Sequence, residues 1–220
     1  LCWDEEHPRE LKAVMREARE SREEANIGRI FDICVEKGSE LPDGDPDRKF
    51  KGRAVFQGNN VWNQNWEWAV FDELGSNPAT MQATQVCDCY GLLPGHKTEQ
   101  ADARQAYTQT VLGGVKTWVE LPRDQWPEKW VRMGLTWPVC RFWRALHGHP
   151  DAGGYWEQHC NASLADVGFR ELVHEDWRSC FCHAELRLFL TVYVGDFKLS
   201  GPAEHIDKGW ELIRKHIELD

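Results

Sequence analysis

The sequence lacks a long apolar run, an internal repeat and a low-complexity segment. Because no stretch of about 18 apolar residues is present, the sequence predicts no membrane span and no membrane partner. The first residues, LCWDEEHPRE, have neither the basic nor the apolar region of a secretory signal. The 8 cysteines show no disulfide-like framework, so we expect reduced thiols in an intracellular protein, cytoplasmic or nuclear. An initiator methionine is also missing, and we expect the sequence to be part of a longer protein.

Positive charge is scarce as well, with 26 Lys and Arg against 36 Asp and Glu and a net charge of −10. This balance argues against nonspecific nucleic-acid binding over the whole surface. It still permits a local basic groove, and residues 48–53, RKFKGR, form one positive cluster. Tryptophan is abundant at 12 residues, and packing is the only role that the pattern of Trp62, Trp66 and Trp68 suggests.

The clearest periodic segment covers residues 186–201 and has the sequence LRLFLTVYVGDFKLSG. Apolar residues alternate from Leu186 to Val194, which predicts a half-buried strand. Gly195 and Asp196 break the run and suit a type II′ turn with glycine first, after which residues 197–200 return as the partner strand. One interpretation is a plain hairpin with a polar tip. The other is a hairpin that holds Asp196 at the rim of a sheet as a metal ligand.

The rest of the chain mixes helices with antiparallel strands without regular βαβ alternation, which predicts an α+β fold. Residues 1–26 are predicted as an N-terminal helical segment, and residues 27–57 as a hairpin with a basic tip. A helix is predicted to start at Ser76-Asn77-Pro78, and strands are predicted over 96–102 and 115–121. A loop over 123–138 and a helix over 139–147 follow. After a break at Gly153-Gly154 the sequence predicts a helix marked by Trp156, Cys160, Leu164 and Val167, and later a last helix with Ile206, Trp210 and Ile213.

Several segments occur in an order and spacing that resembles the reverse transcriptase of copia-type retrotransposons. PDGDPDRKFKGRAVFQG at 42–58 is similar to that family's PDG…YKARLVAKG hairpin, and TWVELP at 117–122 is similar to its VYMEQP strand. CRFWRALHGHPDAGGYW at 140–156 and TVYVGDFKLSG at 191–201 are similar to its CRLKKALYGLKQAPRAWY and LLVYVDDILLTG segments. The resemblance covers roughly residues 42–220.

The resemblance implies a right-hand polymerase with fingers and palm, in which an antiparallel palm sheet is backed by helices. The hairpin over 27–57 would form the fingers, and the palm would lie within about 77–220. Residues 27–220 would then be a partial reverse transcriptase domain without thumb or RNase H regions. The implied function is RNA-directed DNA synthesis for a retrotransposon. The implied partners are a template with its primer, deoxynucleoside triphosphates and other domains of the same polyprotein.

The chemistry of that family is two-metal nucleotidyl transfer to a primer 3′-hydroxyl, in which two Mg²⁺ ions about 3.5–4 Å apart clamp the attacking and leaving oxygens. The resemblance implies that Asp102 and Asp196 are catalytic carboxylates that bind the metal, and Mg²⁺ prefers such hard oxygen ligands. The family's hairpin tip carries two adjacent aspartates, but here Gly195 replaces the first, which is the metal ligand. We therefore expect this copy to be severely impaired or inactive.

Four further residues match nucleotide-binding positions of the family. Tyr107 would pack under the incoming sugar and exclude a 2′-hydroxyl, and Lys51 with Arg53 would hold the triphosphate. Asp151 stands where the family usually has Gln, in a loop that touches nucleotide and template, and an acid there would repel phosphate. The residues alone leave simpler interpretations open: Tyr107 as a core aromatic, and Lys51 and Arg53 as the solvated end of a hairpin.

Two alternatives come from other functional classes. Cys87-x-Cys89 and Cys180-x-Cys182-His183 could supply zinc ligands, but paired cysteines of structural zinc sites are spaced more widely, and buried free thiols explain the pattern better. The second alternative is a degenerate, non-catalytic domain that binds nucleic acid or protein, which the acidic net charge and Gly195 favour. No phosphate-binding loop of the P-loop type is present.

Overall fold

The structure is a computed structural model that describes residues 1–71, 75–172 and 177–220. Five α-helices and eleven strands occur within these ranges. In chain order they are β1 (Arg9–Glu10), α1 (Leu11–Ser21), β2 (Ala25–Lys37), β3 (Lys49–Phe56), β4 (Trp62–Asn63), α2 (Met81–Gly91), β5 (His96–Asp102), β6 (Lys116–Glu120), α3 (Glu128–Arg132), β7 (Pro138–Phe142), α4 (Ala152–Asp166), β8 (Arg170–Glu171), β9 (Cys180–His183), β10 (Leu188–Tyr193), β11 (Asp196–Pro202) and α5 (Ala203–Ile213).

The chain divides into two compact units. The first unit is Leu1–Glu73 with Val111–Ala152, and the second is Leu74–Thr110 with Gly153–Asp220. Each unit contains one of two sheets together with helices, so the predicted α+β class is confirmed. None of the helices in the described ranges is both long enough and apolar enough to cross a lipid bilayer.

The first unit is built on a six-stranded sheet in the order β1-β7-β6-β2-β3, with β4 paired to β2. α1 packs here through its apolar stripe, because Leu11, Val14 and Met15 are buried in one cluster with Ile27 and Val139. The helix predicted for residues 1–26 therefore exists but is only 11 residues long. The residues just before it pair with β7 instead of continuing the helix.

The hairpin predicted over residues 27–57 forms between β2 and β3. β2 pairs with β6 only up to Arg29, so residues 30–37 and 49–55 form a two-stranded ribbon. Opposed residues of an antiparallel pair extend from the same face. One face, called the basic face below, therefore carries Phe31, Ile33, Val35, Lys37, Lys49, Lys51, Arg53 and Val55. It combines four cations with four apolar side chains and contains no acid.

The second unit is built on a five-stranded antiparallel sheet in the order β5-β11-β10-β9-β8. α4 and α5 cover one face, where Trp156 and Ile206 belong to the same buried cluster as Leu190 and Phe197. α2 covers the opposite face, where Cys87 packs with Phe189. The period-two alternation of β10 produces this arrangement, because successive residues of a strand point to opposite faces.

One predicted helix is a strand. Residues Pro138–Phe142 form β7, whereas the sequence predicts a helix over 139–147. The backbone of β7 pairs with both β1 and β6, and Val139, Cys140 and Phe142 are fully buried. Tertiary pairing therefore overrides the local preference of this segment.

Two helix boundaries also differ from their predictions. α2 begins after Thr80 and not at Ser76, because the Thr80 hydroxyl accepts a hydrogen bond from the amide of Ala83 at 3.2 Å. This is the side-chain cap that a helix start requires. Gly153 and Gly154 lie inside α4, so the break predicted at these two residues does not occur. The predicted loop over 123–138 contains the short helix α3.

The tryptophan cluster packs within a short turn of the first unit. The rings of Trp62 and Trp68 stack with centroids 3.9 Å apart. Between them the Asn63 side chain accepts hydrogen bonds from the amides of Asn65 and Glu67, which fixes the turn. The two rings therefore pack against each other at the surface, since Trp68 is 60% exposed; Trp66 is 49% exposed, so burial in the core does not explain the cluster.

His149 is a buried histidine of the first unit. Its ring lies 5.0 Å from that of Phe56 and 5.3 Å from that of Phe71, and its Nδ1 accepts a hydrogen bond from the amide of Asp151 at 3.2 Å. Burial lowers the pKa of His149 to about 4. The folded protein therefore holds the imidazole neutral at pH values at which the unfolded chain protonates it.

This difference predicts a pH-dependent stability. The contribution of His149 should be complete above pH ~6.5 and should be lost as the pH falls toward about 4, because only the unfolded chain binds the proton in that window. Integrated over the window, the loss is about 3 kcal/mol. Urea unfolding of wild type and His149→Gln between pH 7 and pH 4.5 measures it, and the variant should show a flatter profile. The exposed His216→Gln is the matched control, and an equally flat profile there would contradict the assignment.

Candidate active site at a hairpin tip

The tip of the β10–β11 hairpin is a two-residue turn made of Val194 and Gly195. Tyr193 pairs with Asp196, so Asp196 is the first residue of β11, whereas the sequence predicts that it belongs to the turn. Val194 has φ 55, whereas Gly195 lies outside the left-handed region. The first central position of the turn is therefore held by Val194 and not by Gly195, so the predicted turn lies one residue too late in the sequence.

Val194 occupies a strained conformation. A β-branched residue at positive φ is a rare outlier that costs on the order of 1–3 kcal/mol. Such strain is found preferentially at functional sites, where the surrounding structure enforces it. Here the carbonyl oxygen of Val194 accepts a hydrogen bond from the Trp156 indole nitrogen at 2.7 Å, and the amide of Ala103 donates to the carbonyl of Gly195 at 2.7 Å. α4 and β5 therefore both hold the tip in place.

Asp102 and Asp196 are direct partners across the β5–β11 ladder. Because the Ala103 amide bonds the Gly195 carbonyl, this pair is of the non-hydrogen-bonded kind, in which Cα atoms are only about 4.5 Å apart. Both residues are exposed. The structure therefore brings together the two carboxylates that the resemblance implies as catalytic residues.

Gly195 lies directly beside Asp102. A Cβ atom built on Gly195 would be 3.0 Å from Oδ1 of Asp102 and 3.7 Å from the Cβ of Ala106. Because the backbone of Gly195 is compatible with an L-residue, an aspartate would fit there if the Asp102 carboxylate moved by a few tenths of an ångström. A carboxylate at position 195 would thus join Asp102. This is the ligand position that the resemblance predicts to be acidic in the family.

The donor set at the tip suits a hard cation but is incomplete. Asp102 and Asp196 supply carboxylate oxygens, the ligands that Mg²⁺ prefers. No group of three or more His, Cys, Asp or Glu side chains that could hold a metal ion occurs in the described parts of the chain. The described residues at the tip therefore offer two exposed carboxylates, with Gly195 at the position where the resemblance implies a third.

The end of the described chain also contacts this site, which the sequence did not predict. The amide of Asp220 donates to the carbonyl oxygen of Asp102 at 2.9 Å, and Leu219 forms an isolated bridge with Ala103. The Asp220 carboxylate binds the Arg104 guanidinium at 2.6 Å. Asp220 is therefore a third acid near the tip, but its charge is already paired. Only long-range pairing places it there, so no local motif could have signalled it.

Tyr107 lies next to the tip, as the resemblance implies, in a 3₁₀ turn of residues Ala106–Gln109. It lines a small cavity together with Trp156, Val192 and Val194. The cavity measures about 20 Å³, which holds roughly one water molecule. Burial raises the pKa of the Tyr107 phenol, so the hydroxyl stays protonated at neutral pH. Its ring also contacts the core, in agreement with the simpler interpretation.

Lys51 and Arg53 lie on the basic face in the first unit, opposite Val35 and Ile33. Both side chains are exposed. His147 lies close enough to Arg53 and Lys51 for their charges to act on its ring. Its pKa is lowered mainly by burial and to a smaller extent by these two charges. The neighbourhood therefore contains two permanent cations beside a largely neutral imidazole.

Asp151, the fourth residue matched to a nucleotide-binding position, is buried. Only 4% of its surface is exposed, and its amide donates to the His149 ring. A side chain buried to this degree offers little surface to a nucleotide. Although Asp151 matches a nucleotide-binding position of the family pattern, its side chain therefore presents almost no accessible surface.

The cysteines of the zinc alternative behave as buried thiols. Cys87 and Cys180 are buried in one apolar cluster, and the Cys87 thiol contacts the Ser200 hydroxyl at 3.2 Å. Burial raises the pKa of Cys87 and raises that of Cys180 to about 12. In the metal-free protein both thiols are therefore protonated, as expected of buried free thiols. Cys89, the second member of its pair, is exposed.

The geometry of the tip predicts that Gly195→Asp creates a responsive metal site. Without Mg²⁺ the added charge beside Asp102 should lower the free energy of unfolding by about 1 kcal/mol relative to Gly195→Asn, which has the same size and no charge. Millimolar Mg²⁺ should remove this difference, since the ion binds only the folded site. Urea unfolding with and without Mg²⁺ measures both effects. An equal response of the Asp and Asn variants to Mg²⁺ would show that position 195 does not face a cation site.

No protein-family model matches the chain, and neither does any curated protein. The candidate site is therefore defined by its own residues: two carboxylates on neighbouring strands, a strained turn and a glycine where a third carboxylate would fit.

Proposed function

We propose that this chain is the fingers-and-palm part of a copia-type reverse transcriptase, an RNA-directed DNA polymerase encoded by a retrotransposon. In this proposal the five-stranded sheet of the second unit is the palm, and the β2–β3 ribbon of the first unit belongs to the fingers. The antiparallel palm sheet is backed by α4 and α5 on one face and by α2 on the other.

One observation carries the proposal. Asp102 and Asp196 are far apart in the sequence and unremarkable by themselves, yet they are direct cross-strand partners beside a strained hairpin tip. The register of the sheet sets the two positions opposite each other, but a plain hairpin would not favour two acids there, because like charges opposite each other destabilise a sheet. A cation between the two strands removes the repulsion. The pairing is therefore favourable in a metal-binding site and costly elsewhere.

The proposed roles of the chain's own groups follow from their positions. Asp102 and Asp196 would hold Mg²⁺, which when bound stabilises the charge that develops in phosphoryl transfer. Tyr107, fixed beside the tip by its 3₁₀ turn, would restrict the space available to the sugar of the incoming nucleotide. Lys51 and Arg53 would bind phosphate groups, with Arg able to do so through two parallel hydrogen bonds. Template, primer and deoxynucleoside triphosphates are the implied partners.

This copy should turn over slowly if at all. Position 195 faces the Asp102 carboxylate, so its glycine removes an anionic ligand from the place where the family has one. Loss of one ligand weakens metal binding and misplaces the reacting oxygens. The expected penalty is on the order of 4 kcal/mol, or about three decades of rate.

Primer extension on an RNA template tests the catalytic proposal. Wild type should extend the primer about 10³-fold more slowly than Gly195→Asp, for the reason just given. Gly195→Asn should remain as slow as wild type, and Asp102→Asn in the Gly195→Asp background should abolish the gain. Robust synthesis by wild type would refute the impairment, whereas a folded but inactive Gly195→Asp would count against the polymerase assignment.

A second candidate is a non-catalytic domain that binds nucleic acid. The basic face favours it, because four cations without an acid occur there in a chain whose net charge is −10. Lys49, Lys51 and Arg53 follow one another at every second position of β3, which sets them about 6.7 Å apart along the strand. Phe31, Ile33 and Val35 lie on the neighbouring strand, where bases could pack against them.

Binding of a labelled template–primer at several salt concentrations tests this candidate. Lys51→Gln with Arg53→Gln should weaken binding and reduce the slope of log K against log salt by about 1 to 2, because two phosphate contacts are lost. Lys208→Gln with Lys215→Gln removes the same charge from another surface and should leave the slope unchanged. Binding that requires Mg²⁺ would favour the polymerase, and equal slopes in both double variants would exclude the basic face as the contact.

A further inference from the structure

An apolar groove lies on the α2 side of the second sheet, remote from the hairpin tip. It is formed by Val86 and Tyr90 of α2, Cys182 of β9, Phe189 of β10, Trp177 and the turn residue Arg187. Phe189 precedes Tyr193 by four positions, which places the groove about 13 Å along β10 from the tip. The groove has a volume of about 620 Å³. This lies within the range of about 300–1,000 Å³ that is typical of small-molecule sites.

Among the described residues, the lining of the groove is mainly aromatic and aliphatic, with one permanently charged side chain. Arg187 is the only lysine, arginine or acidic residue among the described residues that line it. The guanidinium is exposed at the rim and makes no ion pair within the described ranges. An exposed cation that pairs with no acid of the described ranges, beside an apolar floor, is complementary to a ligand with an apolar body and one anionic group.

The turn that carries Arg187 is held in one conformation. Arg187 has φ 52, and its carbonyl oxygen accepts a hydrogen bond from the Tyr90 hydroxyl at 2.9 Å. On the other side of the turn, Nδ1 of His205 is 2.8 Å from the carbonyl oxygen of Leu186. α2 and α5 therefore both fix the turn. A site held in this way does not need to be ordered by its ligand, which lowers the cost of binding.

The described lining residues of the groove favour binding over nucleophilic chemistry. Cys182 is its one thiol, and burial raises the pKa of that thiol, so it stays protonated. No cluster of metal-ligating side chains occurs among the described residues. Reversible binding is therefore the function that these groups support.

We propose that this groove binds a small amphipathic anion, an aromatic or aliphatic body that carries one carboxylate, sulfonate or phosphate group. The body packs between Val86, Trp177 and Phe189, and the anionic group contacts Arg187. This site uses no residue of the hairpin tip and does not depend on the proposed polymerase function.

Fluorescence titration of the whole chain with 1-anilinonaphthalene-8-sulfonate tests the proposal, with neutral N-phenyl-1-naphthylamine as the uncharged comparison. Arg187→Gln should weaken binding of the sulfonate about tenfold, the loss of one charge-assisted contact, and leave the neutral probe unchanged. Val86→Trp should fill the groove and weaken both probes. Met81→Trp adds the same ring to an exposed position of α2 outside the groove and should affect neither probe.

The outcomes separate the parts of the proposal. A matched circular dichroism spectrum and melting temperature establish that each variant is folded before its titration is compared. Equal loss of both probes in Arg187→Gln would overturn the role of the anionic group. Unchanged binding in Val86→Trp would overturn the groove as the site.

Discussion

The ladder between β5 and β11 joins two distant segments of the chain in one register, and the chemistry of the second unit depends on it. A shift of one residue would move every side chain of β11 to the other face of the sheet. It would place Lys198 in the core under α4 and α5 and remove Phe197 and Leu199, which are fully buried there in the observed register. The hydrophobic core therefore fixes the pairing of Asp102 with Asp196, although neither aspartate contributes to that core.

Gly195 changes the energetics of the same site. A third carboxylate beside Asp102 would add repulsion that only a bound cation could offset, and glycine removes that repulsion together with the ligand. The fold does not require glycine there, because its backbone conformation is open to other residues. Loss of the carboxylate therefore leaves the hairpin intact while it weakens the proposed chemistry.

Local patterns predicted elements best where burial is regular. The alternation in β10 and the spacing of Trp156, Cys160 and Leu164 in α4 both reflect contact with one continuous core, and both elements form where predicted. The helix predicted over 139–147 is wrong because the pairing of β7 with β1 and β6 outweighs the helical spacing of these residues. The tip turn lies one residue earlier than predicted because strand pairing places Val194 in the strained conformation, and no local preference would select valine there.

By itself the sequence determined the α+β class and the two hairpins, because these follow from periodicity and turn residues, whereas the resemblance to a known family implied which acids and cations to compare with the structure. Tertiary structure decided which of those groups meet. It paired Asp102 with Asp196, buried Asp151, placed Asp220 beside the site and assembled the groove around Arg187. These facts depend on long-range register and packing, which arise from the sum of many contacts and leave no signal in a short stretch of residues.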